Sequence, residues 1–270
     1  MRLPELNDWA KFVLVALIGA GTASMLYGDT IVATYAPAGT QTPDTTTLCG
    51  SDSVCWIGEQ QFLTSSVPAA GNFPTLISTG GAGAEISGTY TGGLVIYSAD
   101  QYGGAGGSGY YPELFASGGS YAVALTTSGG LPGVNYFGMW FSALDAGNEL
   151  QFYNGSTLLY TFTPALFASL VGACPNATNA FCGNPNNKTE DSGEQFAFLN
   201  FYDTNGYFDQ VVFTESGGGG FESDNHTVGY MNPVVPTGTP IVTPEPGSLA
   251  LMLTGLLALI GLRCRFALKN

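Results

Sequence analysis

The chain has 270 residues, 39 of them glycine, with charged residues at 10% and aromatics at 13%. That length allows one or two domains, and a glycine-rich, charge-poor, Phe- and Tyr-rich mixture points to an all-β fold with many tight turns, away from a helical enzyme. From Asp29 to Asp224, 17 acidic residues face a single base, Lys188. Such a surface repels polyanions, which makes nucleic acid a poor partner and divalent cations plausible counter-ions.

At the N-terminus Arg2 and Lys11 bracket a weakly charged opening that also holds Glu5 and Asp8. Phe12 to Ala20 (FVLVALIGA) is apolar without a break, and Gly21-Thr22-Ala23 offers the small residues that a signal peptidase accepts. Residues 1–23 therefore read as a secretory signal peptide, with an uncleaved anchor as the alternative.

Residues 24–230 read as one antiparallel β-sandwich ectodomain. Strand-length apolar runs alternate with Gly, Asn and Asp turns: TIVATYA from Thr30, GLVIYS from Gly93, YAVALT from Tyr121, YFGMWFS from Tyr136, ELQFY from Glu149, TLLYTF from Thr157, FAFLNFY from Phe196, FDQVVF from Phe208 and GFESDNHTVGY from Gly220. Asn154-Gly155 predicts a type I′ hairpin and Thr204-Asn205-Gly206 a second hairpin tip. In FDQVVF both alternating faces carry apolar side chains, which predicts a central strand. PALFASLV, from Pro164, predicts about two helical turns with proline at the first position, at the edge of the sandwich. The glycine runs near residues 80, 103 and 217 lack the strand-before, helix-after setting and the lysine of a phosphate cradle.

Cys49, Cys55, Cys174 and Cys182 suit an oxidising compartment. Three pairings are possible, and the favoured one is Cys49–Cys55 with Cys174–Cys182, each closing a small loop. Zinc is disfavoured, since neither pair is a CxxC and His226 is the one histidine.

Residues 231–243 hold Pro233, Pro236 and Pro240 and read as a stiff, extended, structureless linker. Then come Pro244-Glu245-Pro246, a charge-free stretch over 247–262 (GSLALMLTGLLALIGL), and Arg263, Arg265 and Lys269. The stretch is short for the ~30 Å hydrocarbon core but predicts a transmembrane helix, and the basic residues place that end in the cytoplasm with the body outside. The order of motif, span and basic end resembles the PEP-CTERM sorting signal, over about residues 243–266. The resemblance implies a substrate of an exosortase, a membrane protease-transpeptidase, with Pro244, Glu245, Pro246, Arg263 and Arg265 as the sorting residues and the helix removed. The precursor is then anchored in the inner membrane of a Gram-negative-type bacterium, meeting signal peptidase and exosortase in turn, and the product lies at the cell surface or in the extracellular matrix. A plain C-terminal anchor is the alternative.

Segments within residues 85–230 also resemble exosortase-dependent surface proteins with a jelly-roll-like ectodomain. That likeness implies a β-sandwich and an envelope or matrix role, with exopolysaccharide as a possible contact and no established catalytic residues. Glu222, Asp224 and Asn225 supply hard oxygen atoms, 222 and 224 on one strand face, for a possible Ca²⁺ site that Glu85 or Asp100 would complete; a solvated edge strand is the competing reading. A calcium-dependent carbohydrate-binding module is thus the first alternative function. A secreted glycan hydrolase is the second, although His226 is the sole candidate base and no nucleophile elbow accompanies it. The expectation is a non-catalytic surface or matrix protein.

Overall fold

A computed structural model of the chain describes residues 31–241, apart from 51–53, 69–70, 80–82, 116–117 and 218. The predicted signal peptide, the Pro244-Glu245-Pro246 motif, the span 247–262, Arg263 and Arg265 lie outside the described residues. Among the described residues no helix is long and apolar enough to cross a membrane.

In chain order the elements are β1 (Ile31–Tyr35), the short helix α1 (Thr45–Leu48), β2 (Val54–Gln60), β3 (Gly71–Asn72), β4 (Thr75–Thr79), β5 (Glu85–Gly92), β6 (Val95–Ser98), β7 (Tyr110–Phe115) and β8 (Gly119–Ser128). There follow β9 (Tyr136–Leu144), β10 (Asn148–Asn154), β11 (Thr157–Phe162), α2 (Pro164–Val171), β12 (Gln195–Asp203), β13 (Gln210–Glu215), β14 (Gly220–Asn232) and β15 (Thr239–Ile241). They form two antiparallel sheets. The first runs β15-β1-β12-β9-β14-β2-β4, with the β6–β7 pair also docked on β14; the second runs β11-β10-β13-β8-β5-β3. The all-β sandwich expected from the sequence is borne out.

The core between the sheets is aromatic. Phe213 of β13 stacks on Tyr121 of β8 at 4.2 Å and meets Phe221 of β14 at 5.2 Å, Phe221 stacks on Phe141 at 4.5 Å, and Phe152 meets Phe201 at 4.8 Å. Each such ring contributes about 1.5–3 kcal/mol by leaving water, and well-set ring pairs add about 0.5–1.5 kcal/mol. All nine residues of β9 and of β12 are buried. They are covered on both faces, because the outer face of the first sheet carries two small apolar clusters of its own. One gathers Leu48, Cys55, Tyr136, Tyr202 and Met231; the other gathers Trp140, Ala143, Phe196 and Phe198, with Ala105 packed against it. That double burial is why both strands read as unbroken apolar runs.

Both favoured disulfides are present. Cys49–Cys55 ties the end of α1 to β2 with a Cα separation of 5.7 Å, and Cys174–Cys182 closes the loop after α2 with a separation of 5.6 Å. The α2 boundaries match the predicted segment, with Pro164 opening the first turn. β13 sits between β10 and β8, as its two apolar faces require.

Three expectations are corrected. The hairpin at Asn154 forms, but Asn154 pairs with Thr157, so Gly155-Ser156 is the loop and Gly155 alone has positive φ; glycine at the first loop position is the type II′ pattern, not type I′. Thr204-Asn205-Gly206 is not a hairpin tip: β12 belongs to one sheet and β13 to the other, and the segment crosses between them. Asp203 Oδ1 shapes that crossing by accepting hydrogen bonds from the amides of Asn205 and Gly206. The linker predicted as structureless begins inside the fold. Met231 and Asn232 end β14, Thr34 Oγ1 donates a 2.5 Å hydrogen bond to the Thr237 carbonyl, and Thr239–Ile241 pairs with β1. Met231 and Ile241 have apolar pockets to fill, and that burial outweighs the stiffness of the prolines.

Candidate functional site

The residues singled out in GFESDNHTVGY lie on β14, whose edge is shared by two neighbours. Its first residues pair with β7 (Glu222 with Glu113), and its later residues pair with β2 (His226 with Gln60). Between those points the two neighbours peel apart. On the opposite edge Asp224 pairs with Trp140 and Thr227 with Gly138, so β14 carries one extra residue there, a β-bulge. Asn225 holds φ +49°, a left-handed conformation that asparagine tolerates better than most residues.

The extra residue resets the alternation of side chains. Phe221, Ser223 and His226 all point into the core, whereas Glu222, Asp224 and Asn225 face outward. Ser223 and His226, three apart, would face opposite ways on a regular strand; here Ser223 Oγ lies 2.9 Å from His226 Nε2. Tyr90 Oη lies 3.0 Å from Nδ1, and Tyr121 Oη lies 3.3 Å from Ser223 Oγ. The imidazole is fully buried among Phe62, Phe137 and Phe213, and that burial drives its pKa down to about 3. The group is a neutral, hydrogen-bonded core histidine with both ring nitrogens occupied.

Outside the bulge lies a cleft of about 550 Å³, lined by Gln41, Gln61, Leu63, Tyr110, Asp224 and Asn225 among others. Asp224 Oδ2 accepts a 2.8 Å hydrogen bond from the Ala105 amide, and Oδ1 accepts one from the Asn225 amide. Burial raises its pKa to about 6 against the pull of those amides. Asn225 Nδ2 donates to the Gln41 carbonyl and so pins the 39–42 loop over the bulge. A second hollow, about 770 Å³, is lined by Asp100, Gln101, Asn184, Asn186, Asn187 and Glu190 among others. The two share Gly106, which sits on the turn at Ala105–Gly107 between them. Among the described residues no lysine or arginine lines either hollow.

One wall of the second hollow is the insert segment 184–190, which follows the loop closed by Cys174–Cys182. Lys188, the one base of the body, does not reach a carboxylate: its Nζ donates to the carbonyls of Ala180, Cys182 and Gly183 at 2.9–3.3 Å. Asn184 Nδ2 donates to the carbonyls of Asp100 and Gln101, joining the insert to the loop that precedes β7.

The predicted metal ligands are divided. Glu222 faces Glu113, Asp145 and Glu194, whereas Asp224 and Asn225 bond to the 39–42 and 105 loops. Asp100 Oδ1 is occupied by the amides of Tyr102 and Gly103 and the hydroxyl of Tyr111. Glu85 pairs with Ser128 in the other sheet. Sequence reasoning did not find Gln41, Gln61 and the Asn-rich insert as site residues; they meet β14 only through the fold, and the one local signal was the density of asparagine after Cys182.

No protein-family model matches this chain, no curated protein matches it and no solved structure matches it.

Proposed function

We propose that the chain is an exported, non-catalytic surface or extracellular-matrix protein, sorted and trimmed by an exosortase, whose β-sandwich binds neutral polysaccharide along the polar groove over β14. The observation that carries the binding role is the groove itself. Its amides, carboxylates and backbone groups match the hydroxyls of a sugar chain, Tyr110 offers a ring for a sugar face, and two adjoining hollows sharing Gly106 suit an extended ligand. The absence of lysine and arginine among the described residues of its walls, within a strongly acidic body, favours an uncharged glycan over an anionic one.

We read the sandwich as jelly-roll-like, since the connections from β8 to β10 and from β11 to β14 switch sheet at every step. The non-catalytic reading draws support from His226, whose ring is sealed in the core and so is no base for a substrate in the groove.

Affinity electrophoresis of the purified full chain through gels containing neutral polysaccharides tests the binding role. At least one glycan is expected to retard the protein, and Tyr110→Ala is expected to weaken that binding roughly three- to tenfold, the about 0.5–1.5 kcal/mol of an aromatic contact. Free migration through every neutral glycan, or unchanged retardation of Tyr110→Ala, would overturn the reading.

A further inference from the structure

At one end of the sandwich five carboxyl groups from four segments come together, and among the described residues no basic side chain joins them. β7 brings Glu113, the β9–β10 turn brings Asp145, the segment before β12 brings Asp191 and Glu194, and β14 brings Glu222. Glu113 and Glu222 are register partners on the outer face, and Ser142 stands beside Glu222 on its other side. Glycines make the approach possible. A Cβ on Gly220 would collide with Glu222 Oε1 and stand 3.2 Å from Glu113 Oε1, and a Cβ on Gly219 would collide with Asp145. The Glu194 carboxyl is within hydrogen-bonding reach of both Asp145 and Asp191. Carboxyl groups this close share a proton or a cation, since two bare negative charges repel.

A second observation points to the cation. Glu222 is only 4% exposed, and its Oε2 has no hydrogen-bond partner. Ser142 Oγ and Asp191 Oδ2 are likewise buried without partners. Leaving a buried polar atom unpaired costs about 1–3 kcal/mol, more when it is charged. Among the described residues no three acid, histidine or cysteine side chains already surround one point closely enough to hold a metal. A cation would therefore replace the shared protons and draw the carboxylates inward.

We propose that Glu113, Asp145, Asp191, Glu194 and Glu222 form a divalent-cation site of the calcium class, bracing the insert against β7 and β14. The donors are all oxygen, all five are carboxylates, and their net charge is high, which suits a large hard cation over zinc or a tightly octahedral magnesium. The site is distinct from the sugar groove, so a failed calcium response leaves polysaccharide binding to be judged on its own.

The test uses the purified full chain, stripped with EDTA and titrated with Ca²⁺, Mg²⁺ or Tb³⁺. Expected are a Ca²⁺-dependent rise in melting temperature that Mg²⁺ does not reproduce, and Tb³⁺ luminescence sensitised by nearby Tyr111 and displaced by Ca²⁺. The double variant E194Q/E222Q is expected to melt at or above the wild-type temperature in EDTA, because the crowding of like carboxyl groups has been relieved, while losing roughly tenfold or more in Ca²⁺ affinity. Asp145→Asn, at a partly exposed turn, is expected to weaken Ca²⁺ in the same direction, and Asp224→Asn to leave it unchanged. No calcium response in the wild type, or an equal response in E194Q/E222Q and Asp145→Asn, would overturn the site in favour of diffuse binding to an acidic surface.

Discussion

Phe213→Ala is expected to cost about 3–5 kcal/mol of unfolding free energy, the range for removing a buried phenylalanine. Phe213 is fully buried and belongs to the middle strand of the second sheet, where it projects against the first. Its ring stacks on Tyr121 at 4.2 Å with planes 11° apart, and meets His226 at 5.1 Å and Phe221 at 5.2 Å. Tyr121 on β8 and His226 on β14 are themselves held by hydrogen bonds, so they have little room to collapse into the space left behind. The loss is a large share of the ~5–15 kcal/mol total expected of a domain. Denaturant unfolding checks it: the midpoint should fall with the slope unchanged. A loss below about 1 kcal/mol would mean that the two sheets do not meet at this ring.

The second large effect is a dependence of stability on pH in cation-free buffer. Burial raises Glu222 to about 9, Glu194 to about 8 and Glu113 to about 7. A carboxyl whose pKa is raised by folding contributes stability that is fully present below its unfolded value, near 4.5, and is lost as pH climbs through the folded value. His226 acts in the opposite sense. Its pKa is depressed to about 3 by burial, so its contribution is complete above about 6.5 and is lost as pH falls toward 3. Between pH 4.5 and 6.5 the three carboxyls outweigh the one histidine. Each pH unit over which the folded state holds one extra proton corresponds to about 1.4 kcal/mol for a fully buried group, and less for the half-exposed Glu113 and Glu194. Melting curves in EDTA should therefore show greatest stability near pH 4–5, with a fall from there to pH 9. A flat profile over pH 5–9, or a rise, would contradict the burial of Glu222 and its neighbours.

Most of the strands, both disulfides and α2 were legible because their signals are local. Alternating apolar runs bounded by Gly and Asn, short cysteine spacings, and proline before PALFASLV each depend on neighbouring residues alone. β2, β4, β5 and β7 escaped the reading because EISGTYTG, TLIST and YYPELF break alternation with glycine, threonine or proline. They become strands only through pairing with β8, β2 and β14. The Thr204–Gly206 segment has hairpin chemistry and yet crosses sheets, since a turn motif fixes local direction and not the partner strand. The bulge in β14 is the costliest omission. Strict alternation through Ser223, Asp224, Asn225 and His226 would have divided these residues between faces differently, and only the pairing with β9 reveals the extra residue that turns Asp224 and Asn225 together into the groove. The acidic motif was thus visible as chemistry, but its division between a groove and a carboxyl cluster was not.

The proposed life of the protein outside the cell depends on removal of its two ends, and intact mass spectrometry of the mature protein from its own host tests this most directly. The mass should correspond to a chain that starts near residue 24 and stops close to Pro244–Pro246, with both disulfides formed and without the apolar stretch 247–262. A mass that retains both ends would contradict export with exosortase processing and return the C-terminal segment to the role of a permanent anchor.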